Sequence, residues 1–313
     1  MIDLHMHSSY SADAEFTPSV LAKMCAEQGV TLMAVTDHNS ARANTEAREA
    51  AKERGIAYLS GIEIDCLFED TALHMLGYGI DERDAGFREL EEQFYRQSRE
   101  ASRKMLDKTL ELGFCVTEEE LEAAAEDSLW PGVWTGEMFA EVLLGKPEYD
   151  GHPGLLPYRE GGARSENPCL NFYWDFYGPG KPCHVPLCFP SFEQILDLIH
   201  QTRGLAVLAH PGMNLKGKEH LLEPMVKLGL DGIEAFSSYH DPGQAAGFLE
   251  RAGREGLFVT CGSDFHGKTK PAVYLGGHGC TLPEEQIREE IMEGGRFRAE
   301  INRQEIEKLG SYM

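Results

Sequence analysis

The chain reads as an α/β protein: seven strand–helix units of the kind that wrap into a parallel barrel, interrupted by one mainly helical insertion. Three observations predict this. Short apolar runs alternate with helical patterns through the first eighty residues, the β signal vanishes between about 84 and 144, and the alternation resumes after 190. The barrel is therefore assigned to residues 1–83 and 191–313, and the inserted helical or lid region to 84–190.

Each element has a local reason. "MIDLH", "LMAVTDH", "AYLSGIEI" and "ALHMLGYGI" are the four strands before the insertion. Between the first two, Thr17 and Pro18 are placed to cap and open a helix that Gly29 stops, and Gly55 stops the next one in the same way. The insertion contains "GFRELEEQFYRQSREASRKMLDKTLELG", "TEEELEAAAED" and "GEMFAEVLLG", all of helical period. A stretch rich in proline, glycine and aromatics follows from Lys146 to Pro190, too long for a plain connector and suited to a substrate-contacting lid. The last three strands are "LAVLAHPG", "DGIEAFSSYH" and "LFVTCGSDFH", separated by amphipathic helices and followed by a helix near Glu284 to Glu293.

Composition excludes several classes. With 29 Lys and Arg against 52 Asp and Glu, the formal charge of −23 argues against a long electrostatic grip on nucleic acid. Small phosphorylated ligands remain compatible, because bound cations can reverse the local field. The first residues contain neither a basic stretch nor a long apolar run, which predicts a soluble, cytoplasmic protein with no membrane partner and no evident obligate protein partner. Eight cysteines without a CxxC pair read as reduced thiols, including Cys183 and Cys188 of "CHVPLC".

Placing the ionisable residues on the strands gives the chemistry. His5 and His7 end strand one, Asp37 and His38 strand two, and Glu63 strand three. His74 lies in strand four, His210 ends strand five, His240 follows strand six, and Asp264 and His266 follow strand seven. Seven of the twelve histidines thus gather at one rim, the C-terminal end where such barrels carry active sites. His5 and His7 are two apart on a strand and share a face, and Asp264 with His266 repeats that spacing. Imidazole with carboxylate suits Zn²⁺, Mn²⁺ or Fe²⁺, and so many ligands imply more than one ion.

In order and spacing, "DLHMHSSYSAD", "VTDH", "GIEI", "LAVLAHPG" and "GSDFH" resemble the motifs of the PHP (polymerase and histidinol phosphatase) family. The resemblance implies a distorted (β/α)7 TIM-like barrel that holds two or three divalent metals. It implies one metal on His5, His7, Glu63 and Asp264, a second on Glu63, His74 and His210, and a third on Asp13, His38 and His266. Where the family usually reads "SDG" this chain reads "SADAE", one residue longer, so Asp13 or Glu15 fills that role.

A cluster of this kind favours attack at phosphorus by a hydroxide bridging two cations, with Asp264 among the reacting groups. His240 is expected to protonate the leaving alkoxide or to bind the phosphate. The insertion and "FYGPGKPCHVPLCFPSFEQILDLIHQTRGLAVLAHPG" look like the subgroup of nucleoside 3′,5′-bisphosphate phosphatases and short-oligonucleotide 5′-exonucleases, with Lys181 as a candidate phosphate contact. That subgroup usually reads R-x-H-[FI]-A in its inserted helix. Here the segment is "WTGEMFA", with Thr135, Gly136 and Glu137 in place of the cationic pair. Recognition of the distal end of the substrate then falls to Thr135 and to Arg159 or Arg164, while Phe172, Tyr173, Trp174 and Tyr177 either stack on a base or pack locally. The expected activity is hydrolysis of a nucleotide or sugar phosphate monoester, or of a small cyclic phosphodiester. The alternatives are amidohydrolase-like hydrolysis at carbon and 5′–3′ exonuclease action on short oligonucleotides.

Overall fold

The computed structural model describes residues 1–126 and 128–293. The end of the barrel segment expected to run to 313 therefore lies partly outside the described residues. Strands β1 (Ile2–Asp3), β2 (Leu32–Met33) and β3 (Ala57–Tyr58) form a parallel three-stranded sheet in that order. Strands β4 (Gly61–Phe68), β5 (Thr71–Tyr78), β6 (Leu205–Leu208), β7 (Gly232–Ser237) and β8 (Phe258–Gly262) form a five-stranded sheet.

Two features differ from the sequence expectation. The run "AYLSGIEI" breaks at Leu59 and Ser60 into β3 and β4, giving eight strands among the described residues. Also, β4 and β5 are an antiparallel hairpin turned at Glu69, whose φ of 51° lies in the left-handed region, and β5 runs antiparallel to β6. Only two residues separate β4 from β5, which leaves no room for the crossover that a parallel pair requires. The two sheets meet at two seams. At one, the amide of Leu4 donates to Cys261 O (3.0 Å) and Met6 bridges Phe265; at the other, His38 bridges Glu63. The ladders form two sheets and no closed barrel among the described residues.

Helices α1 (Pro18–Glu27) and α2 (Asn44–Glu53) connect the first three strands. The hydroxyl of Thr17 accepts from the amide of Val20, and Gly29 and Gly55 follow the two helices at positive φ, as their positions in the sequence require. The insertion begins with α3 (Ala85–Glu111). Phe87, Leu90 and Phe94 of this helix join the main core, and Leu106 joins a separate apolar cluster. That cluster is completed by α4 (Glu118–Ala124), α5 (Gly136–Gly145) and α6 (Pro168–Phe176), with Trp134, Phe139, Phe172 and Tyr177 buried in it. Phe172 and Tyr177 are therefore packing residues, whereas Trp174 is exposed.

The chain returns through α7 (Phe192–Gln201), opened by a capping box between Ser191 and Gln194. After β6 come α8 (Pro211–Asn214) and α9 (Leu222–Leu228), then α10 (Pro242–Glu255), opened by Asp241 and Gln244, and finally α11 (Glu284–Glu293). Among the described residues no helix is long and apolar enough to cross a membrane.

Candidate metal centre

The strand ends converge as their spacing predicts. Because β1 runs on extended past Asp3, His5 and His7 project together, and their Nε2 atoms are 3.2 Å apart. Glu63 Oε2 lies 3.3 Å from His5 Nε2 and 3.2 Å from His7 Nε2, and Asp264 Oδ1 lies 3.3 and 3.0 Å from the same two nitrogens. All four side chains are essentially excluded from solvent. Five of the six edges of this tetrahedron are therefore 3.0–3.3 Å, close enough for a cation among the four atoms at about 2 Å, the bond length of a divalent cation to imidazole nitrogen or carboxylate oxygen. Glu63 Oε2 and Asp264 Oδ1 also have no hydrogen-bond donor. Two buried anionic oxygens without donors fit a cation and fit little else.

The other oxygen of Glu63 extends the cluster. Oε1 is 3.1 Å from His74 Nδ1 and 3.1 Å from His210 Nε2. On the remaining side, His38 Nδ1 is 3.1 Å from Glu63 Oε2, and Asp13 Oδ2 stands 3.4 Å from His266 Nε2 and 3.9 Å from His38 Nε2. All nine candidate ligands are thus brought together, with Asp13, not Glu15, facing the histidines. Glu15 instead accepts from the amide of Lys268 at 2.8 Å. Three residues at or beside ligand positions, Asn39, His210 and Asp264, are non-glycines at positive φ, the kind of backbone strain that collects at functional sites.

Surrounding groups aim the imidazoles. His5 Nδ1 donates to Glu234 Oε1 (3.0 Å), and Glu234 Oε2 accepts from the amide of His210 (2.8 Å), so one carboxylate orients two ligands. His266 Nδ1 donates to the carbonyl of Asp264 (2.9 Å), which leaves its Nε2 as a lone pair. The hydroxyl of Ser11 donates to Asp37 Oδ1 (2.8 Å), which leaves its oxygen to accept from His7 Nδ1 (3.1 Å). Burial works to lower the pKa of His5, yet the charges of Glu234, Glu63 and Asp264 hold it well above the usual imidazole range. Burial and the neighbouring His266 and His38 push His7 down to about 3. Despite burial, the surrounding histidines hold Glu63 well below the usual carboxylate range, and Lys270 with the histidines does the same for Asp264.

Several of these partners have a signal in the sequence. Asp65 alternates with Glu63 on β4 and reaches His74 Nε2 at 3.1 Å, and Glu234 is an acid inside the apolar run of β7. Lys270 and Tyr239 have none. Lys270 Nζ and the Tyr239 hydroxyl each approach Asp264 Oδ2 at 2.6 Å, which leaves Oδ1 to the cluster.

The expected substrate contacts divide. His240 Nε2 accepts from the amide of Gly212 (3.0 Å) and its Nδ1 donates to the carbonyl of Ala235 (2.9 Å), so neither ring nitrogen is free for a leaving group or a phosphate. Arg159 is held by the carbonyl of Leu144 and by Asp150, and Arg164 forms a two-pronged pair with Asp175. Lys181 sits on an exposed turn beyond α6. None of these three lines the cavity of about 250 Å³ that opens beside Asp13 between the first loop and the insertion. Thr135 does line it, together with Glu137.

Burial and the charge of Asp13 push Glu137 up to about 7. A carboxyl whose folded pKa is raised costs stability as pH climbs from its unfolded value through 7, and nothing below that window. In chelator, Glu137→Gln is therefore expected to melt together with the wild type at pH 4 and roughly 2 °C or more above it at pH 8, by differential scanning fluorimetry. A difference independent of pH would rule out this assignment.

Residues 3–166, just over half of the chain, match the PHP domain family. The chain belongs to the PHP domain family. The matched span holds His5, His7, Asp13, His38, Glu63 and His74, while His210, Asp264 and His266 lie beyond it. Among curated relatives, the chain is 29% identical over 276 residues to a 3′,5′-nucleoside bisphosphate phosphatase of Chromobacterium violaceum, covering 85% of this chain and 87% of that protein. It is 27% identical to a 5′–3′ exoribonuclease of Salmonella typhimurium, covering 88% and 87%. It is 28% identical to a phosphoribosyl 1,2-cyclic phosphate 1,2-diphosphodiesterase of Eggerthella lenta, covering 88% and 97%. All three names describe hydrolases of phosphoester bonds. Among solved structures, an amidohydrolase from Chromobacterium violaceum with bound sulfate superposes with a TM-score of 0.75 at 28% identity, covering 94% of this chain and 96% of that one.

Proposed function

We propose that this PHP-family chain is a metal-dependent phosphoesterase that hydrolyses a P–O bond of a small nucleotide or sugar phosphate. A monoester is the primary substrate, and a small cyclic phosphodiester could be opened at the same centre. The observation that carries this reading is the buried tetrahedron of His5, His7, Glu63 and Asp264, joined through the second oxygen of Glu63 to His74 and His210. Two or three divalent ions, Mn, Fe or Zn, suit this donor set. When bound, such ions supply an activated water and neutralise the phosphoryl oxygens.

The remaining roles belong to the side chains. Glu234, Ser11 and the carbonyl of Asp264 fix the imidazoles before any ion arrives, so little reorganisation is left to the reaction. Lys270 and Tyr239 hold one oxygen of Asp264 and turn the other inward. His240, with both nitrogens committed to backbone, braces the turn that follows His210 and is a positioning residue rather than the acid expected from the sequence. Eight free thiols fit a cytoplasmic setting.

The test is metal analysis and a phosphate-release screen on protein reconstituted with Mn²⁺ or Fe²⁺, using phosphomonoesters, bisphosphates and cyclic diesters, with His210→Asn and Asp264→Asn as controls. At least two ions per chain and release abolished in both variants are expected. Hydrolysis of amides or lactones without any phosphate release would favour chemistry at carbon, which the name of the superposing amidohydrolase keeps in view. Against that outcome, the short ion pair to Asp264 keeps Lys270 a cation and unlike the carboxylated lysines of that chemistry.

A further inference from the structure

The cavity beside Asp13 has a size and a charge pattern that discriminate among phosphate esters, and the inference drawn from it rests on the phosphoesterase reading. Its volume of about 250 Å³ is modest beside the ~300–1,000 Å³ of sites that enclose drug-sized ligands. It borders the metal centre at one residue: Asp13 forms part of its wall, and behind Asp13 stands His266 Nε2, fully buried and without a hydrogen-bond partner. A phosphoryl group at the centre would therefore place the rest of its molecule in this space.

Away from Asp13, the ionic groups on the wall are Glu15, Glu137, Glu141 and Lys268. The ammonium of Lys268 is already spent on Glu141, at 3.0 Å, and its amide donates to Glu15. Glu15 and Glu137 thus confront an entering molecule with no unpaired cation beside them, while the charge of Glu141 is balanced by Lys268. At pH 8, where Glu137 is ionised, a second phosphate placed there would meet like charge in a partly desolvated space, a costly arrangement. Sugar hydroxyls would instead find carboxylate acceptors, together with the hydroxyls of Ser128 and Thr135.

We infer that the cavity selects a phosphomonoester with a single phosphate on an uncharged, hydroxyl-rich remainder of pentose or hexose size, and that Glu137 excludes a second phosphate. Glu137 is the specificity determinant because α5 carries it into the cavity beside Asp13, whereas Glu141, one turn further along the same helix, is exposed and paired.

The experiment compares kcat/KM at pH 8 for fructose 6-phosphate and fructose 1,6-bisphosphate on the Mn²⁺-reconstituted full chain, and then on Glu137→Lys and Glu141→Gln. Both substrates are read on one preparation, so a loss of folded or metal-loaded protein cancels from the ratio. The wild type is expected to favour the monophosphate by roughly tenfold or more, from the Coulomb penalty on the second phosphate. Glu137→Lys should move the ratio at least tenfold toward the bisphosphate, and Glu141→Gln, by freeing Lys268, should move it less in the same direction. A wild type that uses the bisphosphate equally well, or a ratio unmoved in Glu137→Lys, overturns the inference while leaving the phosphoesterase reading intact. No phosphate release from any ester by metal-loaded wild type overturns that reading and this inference together.

Discussion

Glu63→Gln is expected to lower phosphoesterase kcat by on the order of 10³-fold and to remove at least one metal ion per chain, as measured by steady-state kinetics and elemental analysis. The reason is the number of groups that depend on one carboxylate. Oε2 stands 3.1–3.3 Å from nitrogens of His5, His7 and His38, and Oε1 stands 3.1 Å from nitrogens of His74 and His210. The amide keeps the shape of the side chain, so packing around this fully buried position is preserved. It replaces one anionic oxygen by an NH₂ group, which donates where a cation requires a lone pair. Asp65→Asn is the internal comparison. Asp65 meets the cluster at its rim, beside His74 and His38, does not bridge the buried tetrahedron and is tied to Asn39, so it should cost far less. Two ions retained in Glu63→Gln with kcat within tenfold of wild type would show that Glu63 does not join two sites.

That centre was largely legible in the sequence because its grammar is local. A residue at i and another at i+2 on a strand share a face, so His5 with His7, and Asp264 with His266, announce themselves once the strands are placed. The partners of the ligands were less legible. Glu234 reads equally well as a surface acid until β7 is seen to be buried along its whole length, and Lys270 reaches Asp264 only because the chain turns back after His266. His240 shows the limit of reasoning from residue type: it lies at the expected rim, but the backbone amide of Gly212 has taken its lone pair. The fold behaved similarly. Capping signals placed helices well, whereas the pairing direction of β4 and β5 depended on a two-residue turn, which hydrophobic pattern alone does not report. The arginines of the insertion were sought as phosphate contacts because nothing in the sequence shows that Asp150 and Asp175 already hold them.

Metal loading is expected to raise the melting temperature of the chelator-treated protein by roughly 10 °C, read by differential scanning calorimetry across a Mn²⁺ titration. Without an ion, the centre keeps Glu63 and Asp264 ionised in a site closed to water, with Oε2 and Oδ1 lacking any donor. Their only compensation is neighbouring positive charge: burial disfavours the charged forms of His5 and His74, yet the surrounding carboxylates hold both pKa values well above the usual range. An ion that binds the folded chain alone stabilises it by RT ln(1 + [L]/Kd), about 4 kcal/mol at a thousandfold excess over Kd. For a domain of this size each kcal/mol is worth ~2–4 °C. Protons and cations compete for the same imidazole lone pairs, so the increase should be larger at pH 8 than at pH 6. Asp264→Asn discriminates the cause, because it removes one corner of the tetrahedron while keeping its volume, and its metal-dependent increase should be the smaller. An increase below about 2 °C at saturating Mn²⁺ in the wild type would mean that the orphaned oxygens are satisfied without a cation, and the tetrahedron would then be a buried polar network instead of a metal site.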